Sequence, residues 1–594
     1  MFNKIILFIK YHWIIFILAF IIGFLIILPT ISSINSIGLN NFKGVYPTLA
    51  EDEVHYLAMT EEVSEGHSLA NAFLKEHKDD PYLQPALAET IFVKMANWLN
   101  ISIPKLFFIN DFFIPFFGMI LLYFLFFSMT GAKKISCFFA FFYYLIYLGA
   151  MGRPINQQFS ILFVFAGLLL IWRIFSSKLR LSEIILLNMF LGVVVGSLFY
   201  IYPYYWTSLL VVYGLCLLIK TIENKDLRET SKNFLVLFLT VLAVTTPYLI
   251  NLHKALLSSF YNESALRLGM ISTHWPGCFV KVGLAIITGL IFIYIDKRKI
   301  KSEVINYSYI LLASVIILNW QNIITGKYLQ FSSHYNLVSF LLILIVLAVM
   351  ITNLKNYELK FSDKKSIWQI SAILLLTLGA LSYLAYANRN EVFSFRARVA
   401  PDQMLELQKS SDLFAWFNTK TPKDSAVYYI GSDGAKEMNF TIYSNNNLYY
   451  QPYAAHYLVS DDELENRWLI SKFFTDKIDG EYIEINHRGI WMNKFVDVNQ
   501  NQGIRNKIVG LITRRNYVTP EMIPTPEYID RVLKKNEALH QEKVEDVMKK
   551  YDIDYIVLDI SDDEYKNLAS LFKKYKFMTP VKQINTDLVY KIDL

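Results

Sequence analysis

Long apolar runs recur along most of the chain, and they restrict its fold more than any other feature. A helix needs about 20 apolar residues to cross about 30 Å of membrane hydrocarbon. Runs of this kind begin near Tyr11, Leu106, Ile135, Phe159, Ser182, Thr207, Phe234, Cys278, Ile305, Leu337 and Ile367. With 54% hydrophobic and only 18% charged residues, the chain does not have the composition of a water-soluble protein. We therefore predict an α-helical polytopic membrane protein with about eleven transmembrane helices.

The positive charges of the connections predict how these helices are oriented. Lys and Arg in short loops mark the cytoplasmic side of a membrane protein. Every second connection between the predicted helices, taken together with the N-terminal segment, carries roughly nineteen Lys and Arg residues, whereas the remaining connections carry about nine. We therefore expect a cytoplasmic N-terminus, with extracytoplasmic connections at residues 30–105, 152–158, 251–277 and 320–336. Because the basic residues are dispersed through loops, the net charge of +6 does not predict a nucleic-acid partner. The expected location is the cytoplasmic membrane of a bacterium.

The first apolar run, from Tyr11 to about Pro29, could be mistaken for a signal peptide. It is long and lacks a clear small-x-small cleavage site. We therefore expect it to be retained as the first membrane helix.

The composition changes near Asn388, after the last apolar run, where charged and apolar residues begin to alternate. The segments with a helical or strand pattern are 407–420 (helix), 425–431 (strand), 554–560 (strand), 562–577 (helix) and 587–594 (strand). These patterns predict a small extracytoplasmic α/β domain at residues 388–594. The membrane core then spans residues 1–387, and its first extracytoplasmic loop spans residues 30–105.

A segment within that first loop, residues 84–100, has the spacing of a helix. Leu87, Ile91, Met95 and Trp98 share one face of the predicted helix, and the polar residues Glu89, Lys94 and Asn97 lie elsewhere around it. An amphipathic helix that lies in the membrane interface and a helix that packs against the protein both fit this pattern.

An acidic segment follows the first membrane helix directly. Glu51, Asp52 and Glu53 are consecutive, and His55 and Tyr56 come just after them. A carboxylate at the outer membrane face can accept a proton from an incoming hydroxyl group, and neighbouring negative charges raise its pKa toward a useful range. Composition alone favours the alternative of a solvated acidic loop.

The sequence DEVHY at residues 52–56, placed after a first membrane helix, resembles the opening of the C-type (GT-C) glycosyltransferase superfamily, which uses polyprenyl-phosphate-linked sugars. It is especially similar to the protein O-mannosyltransferases and the lipid A aminoarabinose transferases, whose first loop carries an Asp-Glu motif in the same place. A many-helix membrane core, interfacial helices in the first loop and a soluble C-terminal domain also agree with that superfamily. Where those relatives usually continue with a Pro-Pro element, this chain has DPYLQP at residues 80–85. It also lacks a WWDYG-like motif, which argues against an oligosaccharyltransferase.

The resemblance implies an inverting glycosyltransferase that moves one sugar from a polyprenyl-phosphate donor to a lipid, glycan or protein acceptor at the outer membrane face. Asp52 would be the general base that activates the acceptor hydroxyl group. Glu53 would orient the acceptor or hold the base in place. Membrane lipid is the other expected partner.

A phosphate leaving group needs positive charge beside it, and the outer connections contain few cations. We predict donor-phosphate contacts for Arg153, Lys327 and Lys281. The alternatives are contact with ordinary lipid headgroups for the first two residues, and snorkelling to water for Lys281, which is near a helix end.

Three further residues are candidates for substrate binding, namely His55, Tyr56 and His334. A structural hydrogen bond is the alternative role for a lone histidine such as His334. His55 could ligate a divalent metal together with Asp52 or Glu53, but neighbouring residues seldom supply a complete site. We therefore predict no cofactor and no dedicated metal centre.

Two other classes of function remain open at this point. A transporter or flippase of a lipid-linked sugar would favour polar or broken helices near the bilayer midplane, whereas the apolar runs here are mostly uninterrupted. An O-antigen-type polymerase or ligase would also act outside on lipid-linked glycans, and such proteins typically carry their key Arg and His residues in a late loop.

Overall fold

The computed structural model describes residues 2–48, 51–177, 179–224, 227–294, 300–328, 332–354, 364–388, 399–431, 434–475, 477–514, 524–561 and 563–594. Within these residues, nine helices are long and apolar enough to cross a membrane. They are Ile6–Ile37, Ile103–Thr130, Pro154–Ser176, Leu181–Ile201, Tyr204–Glu223, Thr230–Leu256, Ser302–Thr325, Asn336–Leu354 and Ile367–Ala387. The chain is therefore a multi-pass membrane protein.

The two remaining apolar runs form shorter helices, so every predicted run is helical. Lys133–Ile146 has 14 residues, and Phe279–Tyr294 has 16. The first of them is short because the backbone leaves the helical conformation at Tyr147 (φ −101°, ψ 27°), and a single turn of helix, Leu148–Met151, follows. Of the about eleven transmembrane helices predicted, nine are of spanning length among the described residues.

The first membrane helix runs to Ile37, past Pro29, so the predicted end of this helix was wrong. Proline removes one backbone donor, and here the helix continues through it. Ser33 Oγ donates to the Pro29 carbonyl oxygen at 2.9 Å. Beyond the proline, Ile34 and Ile37 are buried against Met404, which belongs to the C-terminal part of the chain. This packing accounts for the additional helical turns.

Short elements fill the connections at one end of the membrane helices. They are the helices Glu51–Ser64, Leu87–Leu99, Tyr261–Arg267 and Asn322–Thr325, a π-helical turn at Pro154–Phe159, and the antiparallel strands Ile271–Ser272 and Lys327–Tyr328.

The helix Leu87–Leu99 confirms the helix predicted in the first loop. Its outer face is exposed, with Met95 38% and Trp98 84% accessible, whereas Ala88, Glu89 and Phe92 are buried. The exposed apolar side chains favour the membrane interface as the location of this helix, because Trp is typical of that zone.

The C-terminal part of the chain is an α/β unit, as predicted. Its helices are Pro401–Lys420, Gly434–Tyr443, Asp461–Ser471, Gly480–Trp491, Lys494–Thr513, Pro526–Leu539, Val544–Lys549 and Asp563–Phe572. Its sheet has five strands in the spatial order Asn447–Leu448, Ala426–Ile430, Ile553–Asp559, Asp587–Ile592 and Met578–Ile584.

The first three strands of that sheet are parallel, and the last two join antiparallel. Each predicted helix and strand of this region is present. The edge strand Met578–Ile584 was not predicted, because most of its residues are exposed and its sequence lacks the apolar pattern of a buried strand. The predicted boundary between residues 387 and 388 adjoins residues 389–398, which lie outside the described residues, and the division into two domains stays a prediction.

Ion pairs join the first loop to the C-terminal unit. The shortest of them are Lys43–Asp412 (2.8 Å), Glu76–Arg467 (2.9 Å), His77–Glu463 (3.0 Å) and Lys78–Asp424 (2.6 Å). These contacts hold the C-terminal unit against the end of the membrane helices where the first loop lies.

Candidate active site

A cavity of about 1080 Å³ lies between the membrane helices and the C-terminal unit. Its walls come from the first loop, from the segments around residues 153–157, 202–204, 248–270 and 334–337, and from the C-terminal residues 451–457. Because all of these connections line one cavity, they lie at the same end of the helical bundle. The assignment of this end to the outside of the cell stays a prediction.

Two oppositely charged side chains meet at this cavity. Arg153 Nη1 lies 3.3 Å from Asp52 Oδ2, and the two side chains are 35% and 39% exposed. Arg153 precedes Pro154 and has an extended backbone (φ −100°, ψ 98°), the conformation that a following proline favours. The π-helical turn that begins at Pro154 also presents Asn156, whose side-chain amide donates to the Tyr56 hydroxyl group. The structure thus brings Asp52, Tyr56 and Arg153 together.

The Asp-Glu pair is divided between two environments. Consecutive residues of a helix point in directions about 100° apart. Asp52 lines the large cavity, whereas Glu53 is buried and lines a smaller pocket together with Asp111. Asp111 Oδ1 in turn accepts a hydrogen bond from Gln158 Nε2 at 2.9 Å.

His55 lies in a stack of aromatic rings that the C-terminal unit completes. Its ring centroid is 4.9 Å from that of His456 and 5.0 Å from that of Tyr453, with interplanar angles of 27° and 21°. Burial and, to a smaller extent, the charge of the neighbouring His456 lower the pKa of His55 well below its usual value. Burial also lowers the pKa of His456 to about 4. Both imidazole rings are therefore neutral near pH 7, and each can form hydrogen bonds while it carries no charge.

His334 lines the same cavity. Its Nδ1 is hydrogen-bonded to the Tyr202 hydroxyl group, and its ring stacks on Tyr204 with a centroid distance of 4.8 Å. Burial and the charges of Arg153 and Lys281 lower the pKa of His334 to about 3. Tyr202 and Tyr204 also line the cavity, where aromatic rings can pack against the apolar face of a sugar.

The other two predicted phosphate-binding cations are not among the residues that line the cavity. Lys281 is buried in the first turn of the helix Phe279–Tyr294. Lys327 is exposed in the strand Lys327–Tyr328, and its Nζ lies 3.1 Å from Ser272 Oγ. Their roles stay predictions, and Arg153 is the predicted cation that faces the cavity.

Arg267, a further cation of the outer connections, is completely buried and binds the C-terminal segment that carries His456. Its guanidinium donates to Asp461 Oδ1 at 2.5 Å and to three backbone carbonyl oxygens, those of Ala455 (3.0 Å), Tyr457 (3.0 Å) and Val459 (2.6 Å). This clamp holds the segment 455–461 at the cavity wall.

Several lining residues were not predicted from the sequence. Tyr453 and His456 belong to the segment QPYAAHY at residues 451–457, in which one histidine lies among aromatic residues. That composition is the signal that could have identified them. Glu89 also lines the cavity, although its position on the polar side of an amphipathic pattern gave no sign of it.

One group of side chains in the described part of the chain has a spacing suited to a metal ion, and it lies outside the cavity lining. The ligand atoms of Glu62, Glu65 and His67 are within 4.8 Å of one another. Lys78 Nζ, however, already lies 2.8 Å from Glu62 Oε1 and 2.6 Å from Asp424 Oδ1, so an ammonium group supplies the positive charge there. The absence of a dedicated metal centre stays a prediction.

No known family matches the chain, and no curated protein matches it. Solved structures are similar to it at low identity. The archaeal oligosaccharyltransferase AglB from Archaeoglobus fulgidus, in complex with an inhibitory peptide and a dolichol-phosphate, is 12% identical, with 82% of this chain and 71% of that chain covered and a TM-score of 0.48. ArnT from Cupriavidus metallidurans, bound to undecaprenyl phosphate, is 11% identical, with 98% of each chain covered and a TM-score of 0.44. At these identities and TM-scores, the similarities carry no argument about what this chain does.

Proposed function

We propose that this protein is an inverting glycosyltransferase that moves one sugar from a polyprenyl-phosphate donor to an acceptor hydroxyl group at the outer face of the cytoplasmic membrane. The observation that carries the proposal is the meeting of the Asp52 carboxylate and the Arg153 guanidinium in the wall of the large cavity. Such a transfer needs a proton acceptor and a phosphate-binding cation close together. The cavity volume of about 1080 Å³ leaves room for a sugar, its phosphate and an acceptor group.

In the proposed reaction, Asp52 accepts the proton of the acceptor hydroxyl group while the hydroxyl oxygen attacks the anomeric carbon. The new carbon–oxygen bond forms on one face of the sugar, and the bond to the phosphate oxygen breaks on the other, so the configuration inverts. The bonding electrons leave with the polyprenyl phosphate. Arg153 stabilises the negative charge that collects on this leaving group, because charge-assisted hydrogen bonds to phosphate are strong.

The contact between Asp52 and Arg153 suggests how donor binding prepares the base. Both side chains are about one-third exposed, so the ion pair is weak, on the order of 0–1 kcal/mol. The donor phosphate is a diester with one negative charge and two free oxygens, so it can bind the guanidinium in place of the carboxylate. When Arg153 turns to the phosphate, Asp52 loses its partner and becomes free to accept a proton.

The neighbouring residues have supporting roles in this proposal. Glu53, which lies in the pocket with Asp111, holds the helix Glu51–Ser64 so that Asp52 faces the cavity. His334, Tyr202 and Tyr204 form an uncharged wall against which a sugar ring can pack. Residues of the segment 451–457 also line the cavity, so the C-terminal unit takes part in substrate binding.

The direct test is transfer of radiolabelled sugar from a panel of synthetic polyprenyl-phosphate sugars by the purified full-length protein. Labelled product with inverted anomeric configuration supports the proposal and identifies the donor. Product with retained configuration would contradict direct attack by the acceptor. If no donor gives product but proteoliposomes move a lipid-linked sugar across the bilayer, the protein is a transporter instead.

A further inference from the structure

Glu89 is a buried acidic side chain that the proposed reaction does not use. It lies in the first turn of the helix Leu87–Leu99, is 1% exposed and lines the cavity. Among the described residues, no group forms a hydrogen bond with its Oε2 atom. Buried carboxylate oxygens are nearly always hydrogen-bonded, so this atom requires an explanation.

A second polar atom without a partner lies in the same cavity. His55 Nδ1 is buried and has no hydrogen-bond partner in the part of the chain that the structure describes. Tyr457 links the two residues. The centroid of the Tyr457 ring is 6.1 Å from that of His55. Burial raises the pKa of the Tyr457 phenol, and the charge of the nearby Glu89 carboxyl group is the second largest cause of this shift. Glu89 and His55 therefore belong to one region of the cavity wall.

The chemistry of this region suits hydroxyl groups. Burial raises the pKa of Glu89 to about 7, so near neutral pH its carboxyl group is present both as a donor and as an acceptor. The His55 ring is neutral, as described above. Sugar hydroxyl groups donate and accept hydrogen bonds, and the apolar faces of sugars pack on rings such as those of Tyr453 and His456. A phosphate group would instead meet an acidic side chain here and be repelled.

We propose that Glu89 and His55 form a subsite that binds the hydroxyl groups of a sugar ring within the cavity. The inference deepens the proposed function and rests on it, because a sugar must enter this cavity. The sugar belongs either to the donor or to the acceptor, and both present the same chemistry. The subsite lies on the wall formed by the first loop and is closed by the residues 453–457 of the C-terminal unit.

The ionisation of Glu89 gives the subsite a measurable signature. Hydroxyl groups that donate to the ionised carboxylate stabilise it, so a bound sugar lowers the pKa of Glu89 below its value of about 7 in the free protein. By linkage, the affinity for the sugar rises as the pH increases toward 7, and it levels off above that pH. Glu89→Gln keeps an amide that can donate and accept, but it removes this pH dependence.

The test compares wild type, Glu89→Gln and Glu89→Leu as full-length proteins in detergent, with calorimetric titration of three probes. The probes are undecaprenyl phosphate, the same lipid phosphate carrying glucose, galactose or mannose, and the corresponding free methyl glycosides. If the subsite binds the donor sugar, Glu89→Leu lowers the affinity for the sugar-bearing lipid about tenfold or more, and the bare lipid is unaffected. If it binds the acceptor sugar, only the methyl glycosides lose affinity.

A matched control is Glu61→Gln. Burial raises the pKa of Glu61 to about 8, but Glu61 hydrogen-bonds Ser64 and is not among the residues that line the cavity. The pH dependence of binding should therefore survive in Glu61→Gln and vanish in Glu89→Gln, even if Glu89→Leu does not fold. Unchanged affinities in Glu89→Leu, or an unchanged pH dependence in Glu89→Gln, would overturn the subsite while leaving the glycosyltransferase proposal intact. A wild type that binds no sugar-bearing probe better than the bare lipid would contradict both.

Discussion

Replacing Arg267 by Met should destabilise the protein and loosen the cavity wall at the same time. Arg267 is 0% exposed, and its guanidinium is bound to Asp461 and to three backbone carbonyl oxygens. Methionine has a similar length but no donor, so the substitution leaves these acceptors buried without their partner. Breaking a buried ion pair from one side typically costs about 3–5 kcal/mol. The lost bonds belong to one network and do not add separately.

Asp461 retains one cation in this variant, because Lys494 Nζ lies 2.5 Å from its Oδ2 atom. We therefore expect a loss near the lower end of that range, about 3 kcal/mol of unfolding free energy. The measurement is urea unfolding of the detergent-solubilised protein, followed by tryptophan fluorescence. Because the segment 455–461 is released, limited proteolysis should also cleave near His456 in the variant.

Arg531→Met is the matched control for this experiment. Arg531 is 45% exposed, and its partner Glu465 also binds Lys535 at 2.7 Å. Glu465 itself is completely buried, but it keeps Lys535 and the Trp491 indole N–H as partners when Arg531 is replaced, so the control should lose much less stability than Arg267→Met. If Arg267→Met were as stable as Arg531→Met, the clamp on the segment 455–461 would not have the role assigned to it.

Three other variants test separate parts of the structure. Arg153→Gln should lower kcat/KM for the polyprenyl-phosphate donor about 10- to 100-fold through the lost charge-assisted bond, and an unchanged value would remove Arg153 from the phosphate site. Burial lowers the pKa of His77, but its bonds to Glu463 and Asp80 outweigh this effect and raise it above 6.5. The stabilisation from the charged ring is therefore complete below about pH 6.5 and disappears as the pH rises through the raised pKa. The Tm difference between wild type and His77→Gln should shrink with increasing pH, and a difference that grew would contradict this role of His77. Gly118→Ala should lower the free energy of unfolding by about 1–3 kcal/mol, because the added Cβ would collide with the Tyr144 hydroxyl group. Gly289→Ala is the control and should be nearly neutral, because the nearest atom to its added Cβ is 3.6 Å away. Equal thermal stabilities of the two variants would contradict this packing.

The helices of the membrane core and the elements of the C-terminal unit follow from the sequence for simple physical reasons. Hydrocarbon thickness fixes the length of a spanning helix, and the α/β unit shows the expected periodicities. The end of the first helix was misplaced because Pro29 is an effective helix breaker only when nothing else stabilises the helix. Here Ile34 and Ile37 are buried against Met404, a contact between residues that are distant in sequence.

The site was only partly predictable for the same reason. Asp52, His55 and Tyr56 carry a local motif, and Arg153 stands out as a rare cation, but their closeness to His456 depends on how the C-terminal unit docks. Glu89 was assigned to the polar face of an amphipathic helix, which normally faces water. In the structure the apolar face of this helix is turned outward, with Trp98 exposed, and Glu89 is consequently buried. The surroundings of a helix, here a membrane, decide which of its faces is inside.

The central claim is that the Asp52 carboxylate is the base of a sugar transfer. The most direct measurement is the rate of labelled-sugar transfer by wild type, Asp52→Asn and Glu53→Gln, each purified and shown to be folded. The proposed mechanism predicts that Asp52→Asn loses about 10²- to 10⁴-fold in kcat, because its amide cannot accept the proton. Glu53→Gln, altered one residue away but facing the smaller pocket, should lose much less. Full activity in Asp52→Asn, or an equal loss in both variants, would contradict the assignment of Asp52 as the base.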